Sequence, residues 1–370
     1  MTNIWKAQLE QAVQRIREAK AIALVLADAP GLDALGSAVA LERGLQTLGK
    51  TVSVFAPAAA ALPTQALVAS GGWSSEPLRE FIISFDLTRS PIKELKYERD
   101  GERMNIILAP TGSSIRREDV EFRYGALRYD LAVTLGVSRI EEAGASLAAA
   151  PELLHEKPVL NIDADPANTA YGELNLLPAA GETGGPTIPE FAYRILTGLD
   201  ALPPDTETAT TLLTALAAAT GNLRLGRAGA GALAMASDLI EHGADADTAR
   251  RYAAPSRPLA HEQLLARAVA RTRWDPETST FWSVLTAEDF EKTGTTGAAA
   301  GELLEQIGDA LPQAERHVLL WQDAGRPDIQ AMIRSAAAGQ QETLSPPAYP
   351  TFREAEEAIG ELLRRQEGVE

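Results

Sequence analysis

The strongest constraint on the fold lies near the beginning of the chain, in the stretch AIALVLADAPGLDALGSAVALERGLQTLGK. Residues 21–27 form an apolar run that is typical of a buried parallel strand. A turn with Pro and Gly follows, and then Leu35, Val39 and Leu41 repeat at helical spacing. TVSVFAP supplies a second strand, so the stretch predicts a β–α–β unit and with it a parallel sheet.

The rest of the chain indicates an α/β protein with two domains. Residues 85–124 alternate apolar and polar side chains around an Asp-Gly turn, which predicts an antiparallel hairpin insertion. YDLAVTLGV and KPVLNIDAD return to buried strands, with a helix expected in RIEEAGASLAAA between them, and helices dominate from Pro189 onward. We predict a larger N-terminal parallel-sheet domain over 1–245, a linker at 246–265, and a smaller C-terminal α/β domain over 266–370.

In the C-terminal domain, STFWSVLTA and RHVLLWQD read as strands, and AGELLEQIGDAL and FREAEEAIGELLRRQ read as helices. GQQETLSPPAYP, before the last helix, reads as an irregular loop because it is rich in Pro and polar residues.

Composition excludes several kinds of chemistry and partner. The chain has no cysteine, which excludes disulfides, thiolate metal sites and a cysteine nucleophile, and its four histidines are dispersed along the sequence. The net charge of −17 argues against binding long nucleic acid, since phosphates are neutralised by a basic surface. The first twenty residues are mixed in charge and no apolar run reaches membrane-spanning length, so we expect a cytoplasmic protein without membrane contact.

Carboxylates at the ends of predicted strands are the remaining candidates for chemistry. Asp28 and Asp33 follow the first strand, and Asp163 and Asp165 lie in NIDADPANTAYGELNLL. Oxygen ligands at adjacent strand ends could hold Mg²⁺ or Mn²⁺. The alternative is structural, with Asp33 or Ser37 capping a helix and Asp163 binding a turn, and the residue spacing favours this structural interpretation.

Two segments resemble the motifs of the DHH-type phosphoesterases, the group that includes RecJ-like enzymes and oligoribonucleases that also dephosphorylate phosphate nucleotides. ADAPGLDALGSAVALERGLQTLGKTVSVF is similar to the first motif, and NIDADPANTAYGELNLLPAAGETGGPTIPEFAYRIL to the third. YDLAVTLGVSRIEEAG and LTALAAATGNLRLG match the second and fourth, and FWSVLTAEDFEKTG resembles the family's DHHA1 substrate domain. The resemblance covers nearly the whole chain outside the hairpin insertion.

The resemblance also implies where the family's two metal ions would be bound. Only Asp33 keeps a carboxylate at a ligand position, and the D-H-H sequence of the third motif becomes Asp163-Ala164-Asp165. The other ligand positions fall on Ala or Gly, namely Ala27, Gly31, Gly136, Ala164 and Ala219. The glycine-rich loop of the substrate domain has no counterpart in SAAAGQQETLSPPAYP.

The resemblance therefore implies a degenerate family member, a pseudoenzyme that acts as a binding or scaffolding protein and holds a protein partner or a second copy. Whether the chain catalyses anything stays open, and the replaced ligand positions favour the answer that it does not. No cofactor is expected, although Asp33, Asp163 and Asp165 could hold one weakly bound Mg²⁺ or Mn²⁺. One alternative is a nucleotide or phosphate sensor that uses Ser37, Asn168 and Arg334. Another is a residual phosphoesterase acting on short oligonucleotides, cyclic dinucleotides or adenosine bisphosphate.

Overall fold

The computed structural model describes residues 4–57, 73, 76–88, 91–179, 184–201, 205–224, 227–253, 258–337 and 340–367. Some predicted features fall partly outside these residues. They are two residues of the hairpin insertion (89–90), part of the linker (254–257), the tails of the third and fourth motifs (180–183 and 225–226) and two residues of the SAAAGQQETLSPPAYP segment (338–339).

The chain divides into two compact units, Met1–Ala254 and Pro255–Glu370. The predicted linker at 246–265 is largely helical, because it contains one whole helix and the beginning of another. The α-helices of the described residues are α1 (Ile4–Glu18), α2 (Leu32–Thr47), α3 (Leu153–Glu156), α4 (Ile188–Gly198), α5 (Thr206–Thr220), α6 (Ala230–Glu241), α7 (Ala246–Ala253), α8 (Leu259–Ala270), α9 (Ala287–Thr293), α10 (Ala300–Ala310) and α11 (Phe352–Glu367). None of these helices combines the length and the apolar character that crossing a bilayer requires.

The central sheet of the first unit has five strands in the order β2-β1-β7-β8-β9, and every neighbouring pair is parallel. These strands are β1 (Ala21–Leu26), β2 (Thr51–Phe55), β7 (Leu131–Leu135), β8 (Val159–Ile162) and β9 (Leu174–Leu176). Every residue of β1 is buried, since apolar clusters cover both faces of the sheet. The parallel sheet and the opening β–α–β unit are confirmed.

The hairpin insertion between β2 and β7 consists of two antiparallel ribbons, which confirms the predicted insertion. It extends from Arg79 to Leu127 rather than over residues 85–124. The strands are β3 (Arg79–Phe85), β4 (Ile92–Asp100), β5 (Arg103–Pro110) and β6 (Val120–Leu127). β3 pairs with β6, and β4 pairs with β5 across the turn at Gly101. The expectation of an α-helix in RIEEAGASLAAA is wrong, because this segment contains only a 3₁₀ turn at Ile140–Ala143 and irregular turns.

The second unit has its own five-stranded sheet in the order β10-β11-β12-β13-β14, in which only the β11–β12 pair is parallel. The strands are β10 (Arg273–Asp275), β11 (Thr280–Leu285), β12 (Arg316–Gln322), β13 (Ile329–Ala337) and β14 (Gln340–Leu344). The expectation of an irregular loop at GQQETLSPPAYP is therefore wrong in its first half, where β14 extends the sheet.

Candidate functional site

A cavity of about 540 Å³ lies at the carboxyl ends of β1, β7 and β8 in the first unit. Because these three parallel strands are neighbours, the segments that follow them meet at one edge of the sheet, where α/β proteins place their ligand sites. The N-terminus of α2 and the first residue of α4 also line the cavity. Its lining residues are Ala27, Asp28, Ala29, Gly31, Asp33, Ala34, Gly136, Ser138, Glu142, Asp163, Ala164, Asp165 and Ile188.

Asp33 lies at this cavity, but it does not cap helix α2. The cap position belongs to Gly31, and Asp33 is the second residue of the helix. Burial raises the pKa of the Asp33 carboxyl, its own N–H and that of Ala34 act in the opposite direction, and the negative charge of Asp163 adds to the rise. A carboxylate in the first turn also interacts favourably with the helix dipole.

Asp163 and Asp165 are bound into the loop that follows β8. One oxygen of Asp163 accepts hydrogen bonds from Ser138 Oγ at 2.9 Å and Asn168 Nδ2 at 2.7 Å, and the other accepts from the N–H of Ala164 at 2.7 Å. Ser138 Oγ also lies 3.0 Å from an oxygen of Asp165. The Asp163 carboxylate is thus bound by neutral donors, Ala164 and Asn168 from its own loop and Ser138 from the segment that follows β7, as the structural alternative expects.

Asp28 holds the segment after β7 against the end of β1. Its two carboxylate oxygens each accept a hydrogen bond of 2.9 Å, from the N–H of Ala145 and the N–H of Ser146, and its own N–H donates to the carbonyl of Glu142. Burial raises the pKa of Asp28, but these hydrogen bonds outweigh burial and hold the pKa below its ordinary value.

Behind the cavity lies a polar network that the sequence did not reveal. Tyr171 donates to Thr134 Oγ1 at 2.8 Å, Thr134 donates to Asn161 Oδ1 at 3.1 Å, and Asn161 donates to Asn168 Oδ1 at 2.8 Å. Thr134 and Asn161 are fully buried, so each needs such partners. Burial raises the pKa of the Tyr171 hydroxyl above its ordinary value, which keeps it protonated and donating.

Four of the five positions at which the resemblance expects a replaced metal ligand line the cavity, namely Ala27, Gly31, Gly136 and Ala164. Ala219, in α5, is not among the residues that line the cavity. Gly136 has a φ of +63°, and a Cβ added there would lie 3.2 Å from Ala34 Cβ and 3.3 Å from Ile188 Cδ1. The backbone and the packing at Gly136 are therefore adapted to the absence of a side chain.

The donor set does not fit a two-metal centre. Such a centre needs several oxygen or nitrogen ligands that converge on each ion, and alanine and glycine supply none from their side chains. Asp33, Asp163 and Asp165 all line the cavity. Across the described part of the chain, however, no three His, Cys, Asp or Glu side chains are grouped to hold a metal ion.

The three residues named for substrate binding are engaged by hydrogen bonds within the protein. Ser37 is fully buried and donates to the carbonyl of Asp33 at 2.6 Å. Asn168 bonds Asp163 and also donates to the carbonyl of Val137 at 3.2 Å. Arg334, in the second unit, is 8% exposed and donates to the carbonyl of Glu305 at 3.1 Å. None of the three is among the residues that line the cavity.

Ser138 and Glu142 line the cavity but were not singled out from the sequence. Both follow β7 in the segment that resembles the second motif, LGVSRIEE, and that position after a parallel strand is the one signal that could have identified them.

Comparison with known proteins shows likeness in structure only. No protein-family model matches the chain, and no curated protein matches it. An exopolyphosphatase-related protein from Bacteroides fragilis superposes with a TM-score of 0.57 at 14% identity, covering 98% of this chain and 97% of that one.

Two further solved structures match with lower TM-scores. RecJ from Thermus thermophilus in complex with Mn²⁺ has a TM-score of 0.36 at 16% identity, covering 96% of this chain and 50% of that one. A family II inorganic pyrophosphatase from Methanococcus jannaschii has a TM-score of 0.39 at 10% identity, covering 93% and 98%. The agreement over the full length of the Bacteroides protein, together with the first and third motifs, shows that this chain has the fold of the DHH-type phosphoesterases.

Proposed function

We propose that this chain is a catalytically degenerate protein of the DHH fold that works by binding a protein partner rather than by hydrolysis. The observation that carries the proposal is the lining of the cavity, where Ala27, Gly31, Gly136 and Ala164 stand at four positions that the resemblance assigns to metal ligands. Without those side chains, two ions cannot each be held by several protein ligands.

The remaining carboxylates support the proposal because they accept hydrogen bonds that stabilise the fold. In a two-metal site, the ions offset the repulsion within a crowded group of carboxylates. Here Asp163 and Asp165 share the hydroxyl of Ser138, and Asn168 donates to Asp163. Asp163 is buried, and a buried charge that is satisfied by neutral donors requires no metal, whereas an unsatisfied one is costly.

The charge of the cavity weighs against the alternative of a metal-free phosphate or nucleotide sensor. Within the described residues, its lining contains five carboxylates and neither Lys nor Arg. The carboxylates are those of Asp28, Asp33, Glu142, Asp163 and Asp165. Phosphate groups would meet like charge there, and no cationic side chain of the lining could offset it. A thermal-shift screen tests the sensor directly, because a nucleotide that binds the folded state must raise the melting temperature.

The decisive experiment combines metal titration with a hydrolysis assay. Isothermal titration calorimetry with Mn²⁺ should show no tight binding of two ions. Short RNA, cyclic dinucleotides and adenosine bisphosphate should all remain uncleaved with Mn²⁺ present. Tight binding of two ions, or turnover that depends on the metal, would overturn the proposal.

The matched variant for this experiment is Asp33→Ala, which removes the last carboxylate at a family ligand position. If the chain were a residual phosphoesterase, wild type would show turnover and this variant would lose it. The proposal expects wild type and variant to be equally inactive. We expect the binding role in the cytoplasm, with a protein partner or a second copy, and without long nucleic acid or membrane.

A further inference from the structure

The hairpin insertion forms a β arm, by which we mean residues Arg79–Leu127. The ribbon formed by β3 and β6 begins the arm, and the ribbon formed by β4 and β5 continues it. Neither ribbon joins either five-stranded sheet. An isolated two-stranded ribbon is marginally stable in water and needs packing on one face.

The β4–β5 ribbon has one apolar and one polar face. Leu95 pairs with Leu108, Tyr97 with Ile106, and Arg99 with Met104, and paired residues lie on the same face. This face is called the apolar face of the ribbon. The intervening residues point the other way, and there Glu94 and Lys96 form an ion pair of 3.2 Å.

The β3–β6 ribbon repeats the pattern. Phe81 pairs with Tyr124, and Ile83 pairs with Phe122, so aromatic and aliphatic side chains share one face. The rings of Phe81 and Phe122 stack with their centroids 5.8 Å apart. The chain has only 5% aromatic residues, so this concentration on one surface element is unusual for the molecule.

Both apolar faces are open to solvent in the single chain. Tyr124 is 76% exposed, Tyr97 75%, Phe122 63% and Phe81 61%. A fully exposed aromatic side chain has a surface of about 200 Å², so at these exposed fractions the four side chains together expose roughly 550 Å² of surface to solvent. A standard protein interface takes about 800 Å² from each partner, and the exposed Leu95, Met104 and Ile106 supply much of the difference.

The charge of the arm differs from that of the rest of the chain. The arm contains nine basic and nine acidic residues and is therefore neutral, while the whole chain carries −17. The rest of each copy therefore carries the whole net charge of −17, and on average the other surfaces of two copies repel each other. At the arm, opposite charges of both copies can face each other without net repulsion. A strongly basic partner would be drawn to the acidic remainder of the chain and not to the arm.

From exposure, area and charge we infer that the apolar faces of the β arm form a homodimer interface, with a second copy of this chain as the occupant. Such an interface is isologous, because the same patch serves both copies. When the ribbons of two copies stack face to face, each ribbon buries the apolar face of the other, which supplies the packing that an isolated two-stranded ribbon lacks. A membrane is the poorer occupant, because an anionic bilayer surface would repel a chain of net charge −17.

This inference names the partner in the proposed binding role and rests on that role, but its test measures mass and not hydrolysis. Wild-type protein is studied by sedimentation velocity and light scattering over a dilution series, beside two variants. Ile106→Glu places a charge on the apolar face. Ile107→Glu is the matched control, because Ile107 is the next residue of the same strand, is similarly exposed and faces the other way.

Wild type and Ile107→Glu should show twice the monomer mass of 39.4 kDa. Ile106→Glu should dissociate, with a dissociation constant raised by ~10-fold or more, because a carboxylate would be buried without a partner. Far-UV circular dichroism checks that all three proteins fold alike. A monomeric wild type, a dimeric Ile106→Glu variant, or equal dissociation of both variants would overturn the inference. Turnover found in the hydrolysis assay would overturn the proposed function and leave the mass measurement unaffected.

Discussion

Asn168 Nδ2 lies 2.7 Å from Asp163 Oδ2, and this hydrogen bond closes the loop that follows β8. The oxygen of the same amide accepts from Asn161 at 2.8 Å and from the N–H of Ala170 at 2.8 Å. Asn168 therefore uses both ends of its side chain, one for a buried carboxylate and the other for the polar network behind the cavity. These hydrogen bonds stabilise the edge of the sheet.

The substitution Asn168→Ala should lower the free energy of unfolding by about 1–3 kcal/mol, because it leaves Asp163 and Asn161 short of a partner. Asn168→Asp should cost more, since it places a second carboxylate against Asp163. Urea denaturation measures both variants. Asn105→Ala, at an exposed position of β5, is the control and should be near neutral. Equal effects at positions 168 and 105 would contradict the structural role of Asn168.

The replacement of Gly136 tests whether the cavity is adapted to lacking a metal ligand. Gly136→Ala should lower the free energy of unfolding by more than the ~1 kcal/mol that a left-handed backbone alone costs. The added Cβ would also crowd Ala34 and Ile188. Gly49→Ala isolates the backbone cost, because Gly49 has a φ of +73° with no atom within 4 Å of an added Cβ. A Gly136 variant as stable as the Gly49 variant would refute the packing argument.

The parallel sheet could be predicted from the sequence because the apolar run of β1 and the helical spacing of α2 are local patterns. Ala27, Gly31, Gly136 and Ala164, which the resemblance assigns to metal-ligand positions, meet at the cavity because each of them follows a strand of that sheet. The segment after β7 was wrongly predicted as a helix because distant atoms decide its structure. The carboxylate of Asp28 accepts the N–H groups of residues 145 and 146, which an α-helix would use internally.

The missed strand β14 has a similar cause. Four of its five residues, QQETL, are polar and show no apolar alternation, and it becomes a strand by pairing with β13, where Thr343 lies beside Arg334. The polar network could not be predicted either, because Tyr171 and Thr134 are far apart in sequence and follow no period. Local sequence patterns therefore predict the parallel sheet of the first unit. Strand β14 and the polar network depend on long-range hydrogen bonds, which local patterns do not reveal.

Gly36 fixes the close approach of α2 and α5. A Cβ added to Gly36 would lie 2.8 Å from Ala215 Cβ and 3.1 Å from the carbonyl oxygen of Thr211. Gly36→Ala should therefore lower the free energy of unfolding by about 1–3 kcal/mol through overpacking. Gly301→Ala, in α10, has open space and should be neutral or stabilising by up to ~1 kcal/mol. Calorimetry that found both variants stabilised would contradict this packing.

The pH dependence of stability should distinguish Asp28 from Asp33, the two carboxylates that follow β1. Hydrogen bonds hold the pKa of Asp28 below its ordinary value of 3.8, although burial acts the other way. Its ionised form therefore stabilises the fold above pH 3.8, and this contribution is lost as the pH falls through the folded pKa. Asp28→Asn should destabilise the protein at pH 7, and the difference from wild type should shrink in acid.

Asp33 should show the opposite sign. Burial raises its pKa above 3.8, so the folded state favours the protonated form, and stability falls as the pH rises through the folded pKa. Asp33→Asn should therefore stabilise the protein at pH 7, with the gain disappearing below pH 3.8. Urea denaturation across this pH range, with a chelator present, measures both variants. A destabilised Asp33→Asn protein at pH 7 would mean that the ionised carboxylate has a favourable partner in the fold.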